Sequence, residues 1–389
     1  MNLKPIELIP DQTARIIAKE RRVNRFMRRR DAILEKCHLG GRKGRYDDIT
    51  FEFMGGTNDR LRKQHYDKSL RLLWKAEEQM PWSSFRDCTN NERMLLELAD
   101  GSLKNSERGH LEKIKSDEFK ALLNREYTPE QKQAIVNILS TIGHGEAYAW
   151  MVSTEVLSSG VEGTGARAAL TMQVMEEAKH FVVLRELIKA FDCPVPRMSI
   201  WEYMVMERTL KSKGLEKFFG MNVLIEGFAL NLFGLLSVLP GLEVLRLFHL
   251  DESRHTALPS NYFSEKPMTR RQSKGLLARI RRGLLLAPTL PLMTYFERDF
   301  AVLGLDIYDF AGSMFRKVVH LSERVGFELP IPGSKLLPLV NVMFNKRAKQ
   351  TRKSYARKDY HLAETTQGVT ELAIEAEVFE LNQPAAIAS

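Results

Sequence analysis

Two Glu-x-x-His tetrapeptides, each preceded by another glutamate about one helix earlier, constrain this 389-residue chain more than any other feature. The first motif pairs Glu177 with His180, and the second pairs Glu252 with His255. Glu and His at positions i and i+3 lie on one helix face, so both side chains can reach the same centre. Four carboxylates and two imidazoles in this pattern are typical of a di-metal site inside a helix bundle.

The tetrapeptide alone does not identify a ligand, because the chain contains two further copies. One copy runs from Glu35 to His38 and continues directly into Leu39-Gly40-Gly41, and the other runs from Glu107 to His110 within a polar, glycine-containing stretch. Neither copy belongs to a helical hairpin that would bring a second acid to it. We therefore expect these two copies not to bind metal.

The first metal-binding hairpin is predicted from its helix boundaries. Thr128-Pro129-Glu130-Gln131 supplies an N-cap, a first-turn proline and a capping-box glutamine for a helix over 128–159. A glycine-rich reversal at 158–165 follows, and a second helix is predicted over 166–191. Glu146 and Glu177 are equidistant from this turn. In an antiparallel hairpin they lie at the same height and can share a metal.

The second hairpin repeats this geometry. A helix over 215–239 ends at Pro240-Gly241, and the next is predicted to run through His255 to Pro259. Glu226 and Glu252 are equidistant from the turn between them. At 1.5 Å per residue, each lies about 20 Å from that turn. Glu146 and Glu177 lie at a similar distance from the turn of the first hairpin. Glu155 is rejected as a ligand because it would turn to the opposite helix face from Glu146.

Two local features accompany these glutamates. Glu226 lies in Asn222-Val223-Leu224-Ile225-Glu226-Gly227-Phe228, where a buried carboxylate must be protonated, paired or metal-bound. Gly143 and Gly145 precede Glu146 and predict a helix distortion, a close approach of another helix, or simply a packing position.

With a glutamate one helix before each, the segments Met175–His180 and Leu250–His255 resemble the ferritin-like di-iron carboxylate superfamily. The likeness is to its oxygen-activating branch, which includes R2-like oxidases, di-iron oxygenases and N-oxygenases. It implies two iron ions, or a mixed manganese and iron pair, with O₂ as co-substrate. It also implies ligand roles: Glu146, Glu177 and His180 for one metal; Glu226, Glu252 and His255 for the other; Glu177 and Glu252 as bridges; and Asp251 and Glu176 as acids that hold the histidine of the opposite motif.

Departures from the family narrow the expected reaction. Leu184 stands where tyrosyl-radical reductase subunits carry a tyrosine, which disfavours a ribonucleotide reductase role. Leu230 stands where multicomponent hydroxylases tend to have a threonine, which argues against that branch. The interval from Glu226 to Glu252 is shorter than is usual in the superfamily, so Glu226 is the least typical ligand of the set.

The resemblance implies an O₂-dependent di-iron oxygenase or oxidase acting on a small or medium organic substrate with an apolar part. Hydroxylation, N-oxygenation, desaturation and oxidative cleavage all remain open. An electron-donor protein or reductant would be a partner, and a homodimer is compatible with the family. The alternatives are a non-catalytic metal- or ligand-binding bundle and a helical protein that docks to a membrane or carrier.

The predicted fold class is all-α, because helical periodicity dominates and strand signals are sparse. We predict a ferritin-like helical bundle with additional N- and C-terminal helices. The expected organisation is an N-terminal helical extension wrapping the bundle over 1–127, a di-metal four-helix core over 128–260, a C-terminal helical extension over 261–364, and a flexible tail over 365–389.

Charge and cysteine content bear on partners and location. The net charge of +9 is concentrated in basic runs, of which 270–282 reads as a basic amphipathic helix for an acidic carrier protein or a membrane surface. The alternative is a solvated face whose leucines pack on the bundle. Nucleic-acid binding is not favoured, because no motif supports it. Three cysteines without a CxxC motif and the lack of a recognisable signal peptide predict a cytoplasmic protein.

Overall fold

The structure, a computed structural model, describes residues 4–37, 110–162 and 164–360. Helices dominate these residues, and no strand occurs among them apart from an isolated bridge between Leu8 and Arg352. The predicted all-α class is therefore confirmed for the described part of the chain. The predictions for 38–109 and for the tail over 365–389 lie outside the described residues.

Among the described residues before the first hairpin, the helices are α1 (Pro10–Lys36), α2 (His110–Lys115) and α3 (Asp117–Glu126). Helix α3 begins at Ser116, whose hydroxyl accepts a hydrogen bond from the backbone amide of Phe119. It ends at Tyr127, and the tyrosine hydroxyl donates to the carbonyl of Pro240 at 2.7 Å. This bond ties the start of the first hairpin to the turn of the second.

The first hairpin consists of α4 (Pro129–Glu155), a π-helical segment (Val156–Gly160) and α5 (Thr164–Ala190). The predicted capping box is present, because Thr128 and Gln131 exchange their two cap hydrogen bonds. Helix α4 is continuous through Gly143 and Gly145, so the predicted alternative of a distortion there is wrong. A side chain at Gly145 would lie 3.3 Å from Met206, which shows the predicted close approach of another helix instead.

Helix α6 (Ile200–Lys211) precedes the second hairpin and packs beside it. The hairpin itself consists of α7 (Leu215–Phe218), a second π-helical segment (Phe219–Ile225), α8 (Glu226–Leu236) and α9 (Leu245–Glu265). Its antiparallel pairing is shown by two contacts: the rings of Phe233 and Phe248 lie 5.2 Å apart, and Asn222 Nδ2 donates to the carbonyl of His255 at 3.1 Å.

The predicted end of the last helix at Pro259 is wrong, because α9 continues to Glu265. Proline has no amide hydrogen, so it cannot donate to the carbonyl four residues earlier, which belongs to His255. Asn222 donates to that carbonyl from the second π-helical segment, on the other arm of the hairpin. With this buried acceptor satisfied by a side chain, the helix can pass the proline.

Six helices follow: α10 (Arg270–Lys274), α11 (Leu276–Leu286), α12 (Thr289–Tyr295), α13 (Glu297–Val302), α14 (Ile307–Val325) and α15 (Gly333–Thr351). Helices α13 and α14 pack against the two hairpins. Asn137 on α4 donates to Asp299 on α13 at 2.8 Å. Helices α4, α8 and α9 are thus covered by C-terminal helices, whereas α2 packs against α5.

A polar layer divides the hydrophobic core on all four hairpin helices. Two clusters of buried apolar residues occupy opposite ends of the hairpins, and the predicted ligands lie between them. The clusters are separated between Ile142 and Tyr148 on α4, Leu170 and Leu184 on α5, Ile225 and Ala229 at the junction of the second π-helical segment with α8, and Phe248 and Phe263 on α9. The predicted ligands therefore lie at mid-height of the helices, away from both turns.

The stretch 215–236 is the most apolar helical part of the described chain. Its length and mean hydropathy of 1.6 would suffice to cross a membrane, but 89% of its most apolar window is buried inside the protein. It carries Glu226 and forms one wall of the core. Burial against its neighbours accounts for its apolar composition.

Candidate metal centre

The structure brings all six predicted ligands into one buried cluster. Their potential ligand atoms form two groups in which all atoms lie within 4.8 Å of one another. The first group comprises Glu146, Glu177, His180 and Glu252, and the second comprises Glu177, Glu226, Glu252 and His255. None of the six residues is more than 3% exposed. Six buried ionisable groups in contact require either shared protons or bound cations.

Glu177 and Glu252 belong to both groups, and each directs one oxygen to each histidine. Glu252 places Oε1 3.1 Å from Nδ1 of His180 and Oε2 2.9 Å from Nδ1 of His255. Glu177 places Oε2 3.9 Å and Oε1 3.4 Å from the same two nitrogens. This is the arrangement of a carboxylate that bridges two cations.

The two remaining glutamates each accompany one histidine. Glu146 Oε2 lies 3.7 Å from Nδ1 of His180, and Glu226 Oε1 lies 3.6 Å from Nδ1 of His255. Two side chains therefore lie on each side of the shared pair, Glu146 with His180 and Glu226 with His255. The division follows the two hairpins that the sequence predicts.

Three inward-facing atoms support cation binding. Oε2 of Glu177, Nδ1 of His180 and Oε1 of Glu252 are buried and form no hydrogen bond of good geometry among the described residues, although the latter two atoms lie 3.1 Å apart. Buried polar atoms in folded proteins almost always have partners, so each such atom needs an explanation. All three face the centre of the cluster. Carboxylate oxygens and imidazole nitrogens are suitable donors for divalent manganese or iron, so the residues present fit a pair of such ions.

The electrostatics of the cluster are those of groups that compete for protons. Burial raises the pKa of Glu146 and of Glu226 well above the ordinary range. Burial alone would raise the pKa of Glu252 too, but the neighbouring His255 holds it well below its ordinary range. Burial opposes the charged form of His255, yet Glu252 and Glu177 raise the pKa of this histidine to about 10. Divalent cations would replace these protons as the positive charges.

The outer nitrogens of the two histidines bind acids from the opposite motif. His180 Nε2 lies 3.0 Å from Oδ2 of Asp251, and His255 Nε2 lies 2.9 Å from Oε2 of Glu176. Each acid directly precedes the glutamate of its own motif. These contacts fix the orientation of both rings and leave Nδ1 of each directed inward.

Cations at the edge of the site balance the two outer acids. Arg254 donates to both Glu176 and Asp251 through Nη2, with a separation of 2.6 Å to Glu176. Lys179 Nζ donates to Oδ2 of Asp251 at 2.7 Å. Burial opposes ionisation of Asp251, but its bonds to His180 and Lys179 hold its pKa well below its ordinary range. Both acids thus remain ionised beside the imidazoles.

Two amides at the site were not identified from the sequence. Gln173 Nε2 donates to Glu226 Oε1 at 2.9 Å and to Glu177 Oε1 at 3.2 Å. Asn222 Nδ2 donates to Gln173 Oε1 at 2.9 Å and so fixes the orientation of that amide. Each amide lies four residues before a ligand, Gln173 before Glu177 and Asn222 before Glu226. A buried polar side chain at that spacing in an apolar helix was the available signal.

Among the rejected candidates, Glu155 is the one whose side chain the structure describes, and it does not join the cluster. Glu155 pairs with Lys217 on α7 rather than with the six ligands. The predictions for the motifs at Glu35–His38 and Glu107–His110 concern side chains that lie outside the described residues.

A narrow apolar cavity of about 40 Å³ reaches the cluster. Two predicted ligands, Glu146 and Glu226, form part of its wall, whereas neither histidine does. The remaining wall comes from α4, α6, the second π-helical segment, α8 and α12, with side chains that include Ile142, Val205, Met206, Leu224, Phe228 and Leu292. The cavity also contains a third carboxyl group, that of Glu202.

A scan against protein-family models and searches of curated proteins and of solved structures found no match to this chain.

Proposed function

We propose that the six side chains hold two iron ions and that the protein is an O₂-dependent di-iron oxygenase or oxidase with a ferritin-like bundle. The observation that carries this proposal is the pair of overlapping ligand groups that share Glu177 and Glu252. A structural ion pair needs no shared carboxylates, and a mononuclear site needs no second histidine. Two Glu-x-x-His helices facing two further glutamates are the ligand set of di-iron and di-manganese carboxylate proteins.

The charges of the site favour divalent ions. Four ligand carboxylates would offset the four positive charges of two divalent cations. Arg254 and Lys179 already offset the outer acids Asp251 and Glu176, so these acids do not add net charge to the centre. A nearly neutral buried site is the arrangement that minimises the cost of burying charge.

Bound iron would supply the reduction of O₂, and the protein's own residues would determine where an organic molecule meets it. Glu146 and Glu226 line both the cluster and the cavity, so a molecule in the cavity lies beside these two carboxylates. Apolar side chains around them exclude water. Gln173 holds the carboxylate of Glu226, and the outer acids hold the imidazoles. These contacts keep the ligand positions fixed while a substrate binds.

The cavity supports a substrate with an apolar part. The reaction itself, whether hydroxylation, N-oxygenation, desaturation or oxidative cleavage, depends on how that substrate is oriented. A separate electron donor, protein or small reductant, would be needed for repeated turnover. A cytoplasmic location and a homodimer stay predictions from the sequence.

The test is single-turnover O₂ consumption. Protein freed of metal and loaded with two equivalents of ferrous iron without oxygen should consume O₂ when mixed with aerated buffer, and its optical spectrum should change in the same time. Glu177→Ala, loaded with the same amount of iron, is the matched control for iron bound elsewhere. The proposal predicts at least tenfold faster uptake by the wild-type protein.

Equal uptake by both proteins would overturn the proposal. Tight binding of two metals without any reaction with O₂ would instead establish the alternative, a non-catalytic metal-binding protein of the same fold.

A further inference from the structure

Glu202 is a buried acid that the proposed metal site does not use. It lies on α6, is 1% exposed and faces the cavity that also contacts Glu146 and Glu226. Neither of its carboxyl oxygens has a side-chain hydrogen-bond partner among the described residues. Burial raises the pKa of Glu202 well above its ordinary range, a hydrogen bond with the backbone of Ser199 opposes this rise, and the nearby Glu20 adds to it. This setting favours the neutral form of the carboxyl group.

The charges around the cavity select the kind of molecule that can bind there. Three carboxyl groups line it, and none of its lining residues is a lysine, arginine or histidine. The two threonine hydroxyls on its wall donate to backbone carbonyls, Thr141 to Asn137 on the same helix and Thr289 to Leu286 at the end of α11. An anionic ligand would find no cationic side chain in this lining to pair with, whereas an amine would meet carboxyl groups that can pair with its nitrogen.

We propose that Glu202 binds the amino group of a small primary amine whose apolar part lies in the cavity beside the metal cluster. The amine binds as its ammonium ion, and the carboxyl group releases its proton to solvent, which gives a carboxylate–ammonium pair. The net charge of the cavity does not change. Because one water needs roughly 10–15 Å³ of such volume, a cavity of about 40 Å³ holds a chain of about three or four heavy atoms. Longer amines require Met206, a flexible side chain on the wall, to move.

That this amine is a substrate rests on the proposed function, but its binding can be measured separately. Calorimetric titration of the purified metal-containing protein with 1-propylamine, 1-propanol and propionate compares three molecules of similar size and different charge. We expect 1-propylamine to bind at least ten times more tightly than the other two. Glu202→Gln should remove this preference.

Glu207→Gln is the matched control, because Glu207 lies on the same helix but pairs with Arg30 and Lys211. It should keep the preference for the amine. Glu202→Asp retains a carboxyl group, so it should keep the preference for the amine with weaker binding. This variant distinguishes loss of the acid from a folding defect in Glu202→Gln. Unchanged amine binding in Glu202→Gln, or tighter binding of propionate than of 1-propylamine, would overturn the inference. Iron content measured on the same samples tests the proposed function independently.

A second inference comes from the surface of α11. Four apolar side chains on this helix point to solvent: Leu276, Leu277, Ile280 and Leu284 are 72%, 58%, 46% and 53% exposed. They form the leucine face. Ala278, Arg282, Leu285 and Leu286 are the buried residues that pack α11 on the protein. The alternative reading of 270–282, a solvated face packed by its leucines, therefore does not describe these four side chains.

Positive charge surrounds the leucine face. Arg270, Arg271 and Arg281 are exposed, and Lys274 is 59% exposed while it pairs with Glu328. The sequence from 266 to 296 contains no aspartate or glutamate. Exposed leucines scattered singly are ordinary, but four on one helix bordered by cations are the pattern of a helix that lies in a lipid headgroup layer.

We infer that the leucine face binds the surface of an anionic lipid bilayer. The leucines would enter the boundary between headgroups and acyl chains, and the arginines would contact acidic headgroups. Helix α12 follows α11 directly and contributes Thr289 and Leu292 to the cavity wall. Docking would therefore bring the cavity-lining part of the chain close to membrane-dissolved molecules.

Vesicle co-sedimentation tests this inference. Vesicles of phosphatidylcholine with 30% phosphatidylserine should bind the protein at least tenfold better than pure phosphatidylcholine, and 0.5 M salt should weaken the binding. The triple variant Leu276→Ser, Leu277→Ser and Leu284→Ser should lose it. Val238→Ser with Leu247→Ser, which changes side chains 58% and 61% exposed elsewhere, should not. Failure to bind acidic vesicles, including the outcome in which only an acidic carrier protein binds, would overturn the inference.

Discussion

Asp251 on the second hairpin lies 3.0 Å from Nε2 of His180 on the first. The reciprocal contact joins Glu176 on the first hairpin to Nε2 of His255 on the second at 2.9 Å. Each hairpin therefore orients the histidine of the other. The orientation of both predicted histidine ligands and this contact between the hairpins thus involve the same four side chains.

This reciprocity predicts the effect of neutralising the outer acids. Asp251→Asn and Glu176→Gln should each weaken metal binding by about 10- to 100-fold, because the imidazole loses the anion that fixes its orientation and raises its basicity. Competition with a chelator measures the affinity. Asp306→Asn, which removes a buried acid paired with Arg352 far from the six ligands along the chain, is the control and should change it little. Equal effects of all three variants would show only a general loss of stability.

Asn222 and Pro259 provide a test of how α9 passes its proline. Asn222→Ala should cost about 1–3 kcal/mol of unfolding free energy, because the buried carbonyl of His255 loses its donor. In a Pro259→Ala background the alanine amide can donate to that carbonyl, so the same change should cost less. Urea unfolding of the four proteins gives the coupling energy. Additive costs would contradict the role assigned to Asn222.

These two residues also show how far sequence reasoning reached. The turn positions alone predict that Glu146 lies at the same height as Glu177, and Glu226 at the same height as Glu252. The height of a residue in a hairpin depends only on its distance along the helix from the turn. The end of α9 was misplaced because the donor that rescues the carbonyl released by Pro259 comes from another helix. Glu202 could not be found for the same reason. Its place in the cavity depends on how α6 packs across the hairpins, and no local pattern records that.

Glu20 predicts a pH dependence of stability. It is 6% exposed, and burial raises its pKa from 4.5 to about 7. Because the pKa of Glu20 is raised in the folded protein, the unfolded chain releases this proton at a lower pH than the folded protein does. The free energy of unfolding therefore falls as pH rises from about 4.5 to about 7 and then levels off. Glu20→Gln should be more stable than wild type at pH 8, by up to about 2–3 kcal/mol. At pH 4 the difference should disappear. Denaturant unfolding at both pH values measures it, and a pH-independent difference would contradict the assigned cause.

Metal content tests the central claim most directly. Wild-type protein from iron-replete expression, analysed by elemental mass spectrometry, should contain close to two iron ions, or one manganese and one iron, per chain. Glu177→Ala and Glu252→Ala should each lose both ions, because each removes a shared carboxylate. His38→Ala and His110→Ala, which change the two other motifs, should retain both. A wild-type protein that holds zinc or no metal, with all four variants indistinguishable from it, would contradict the account.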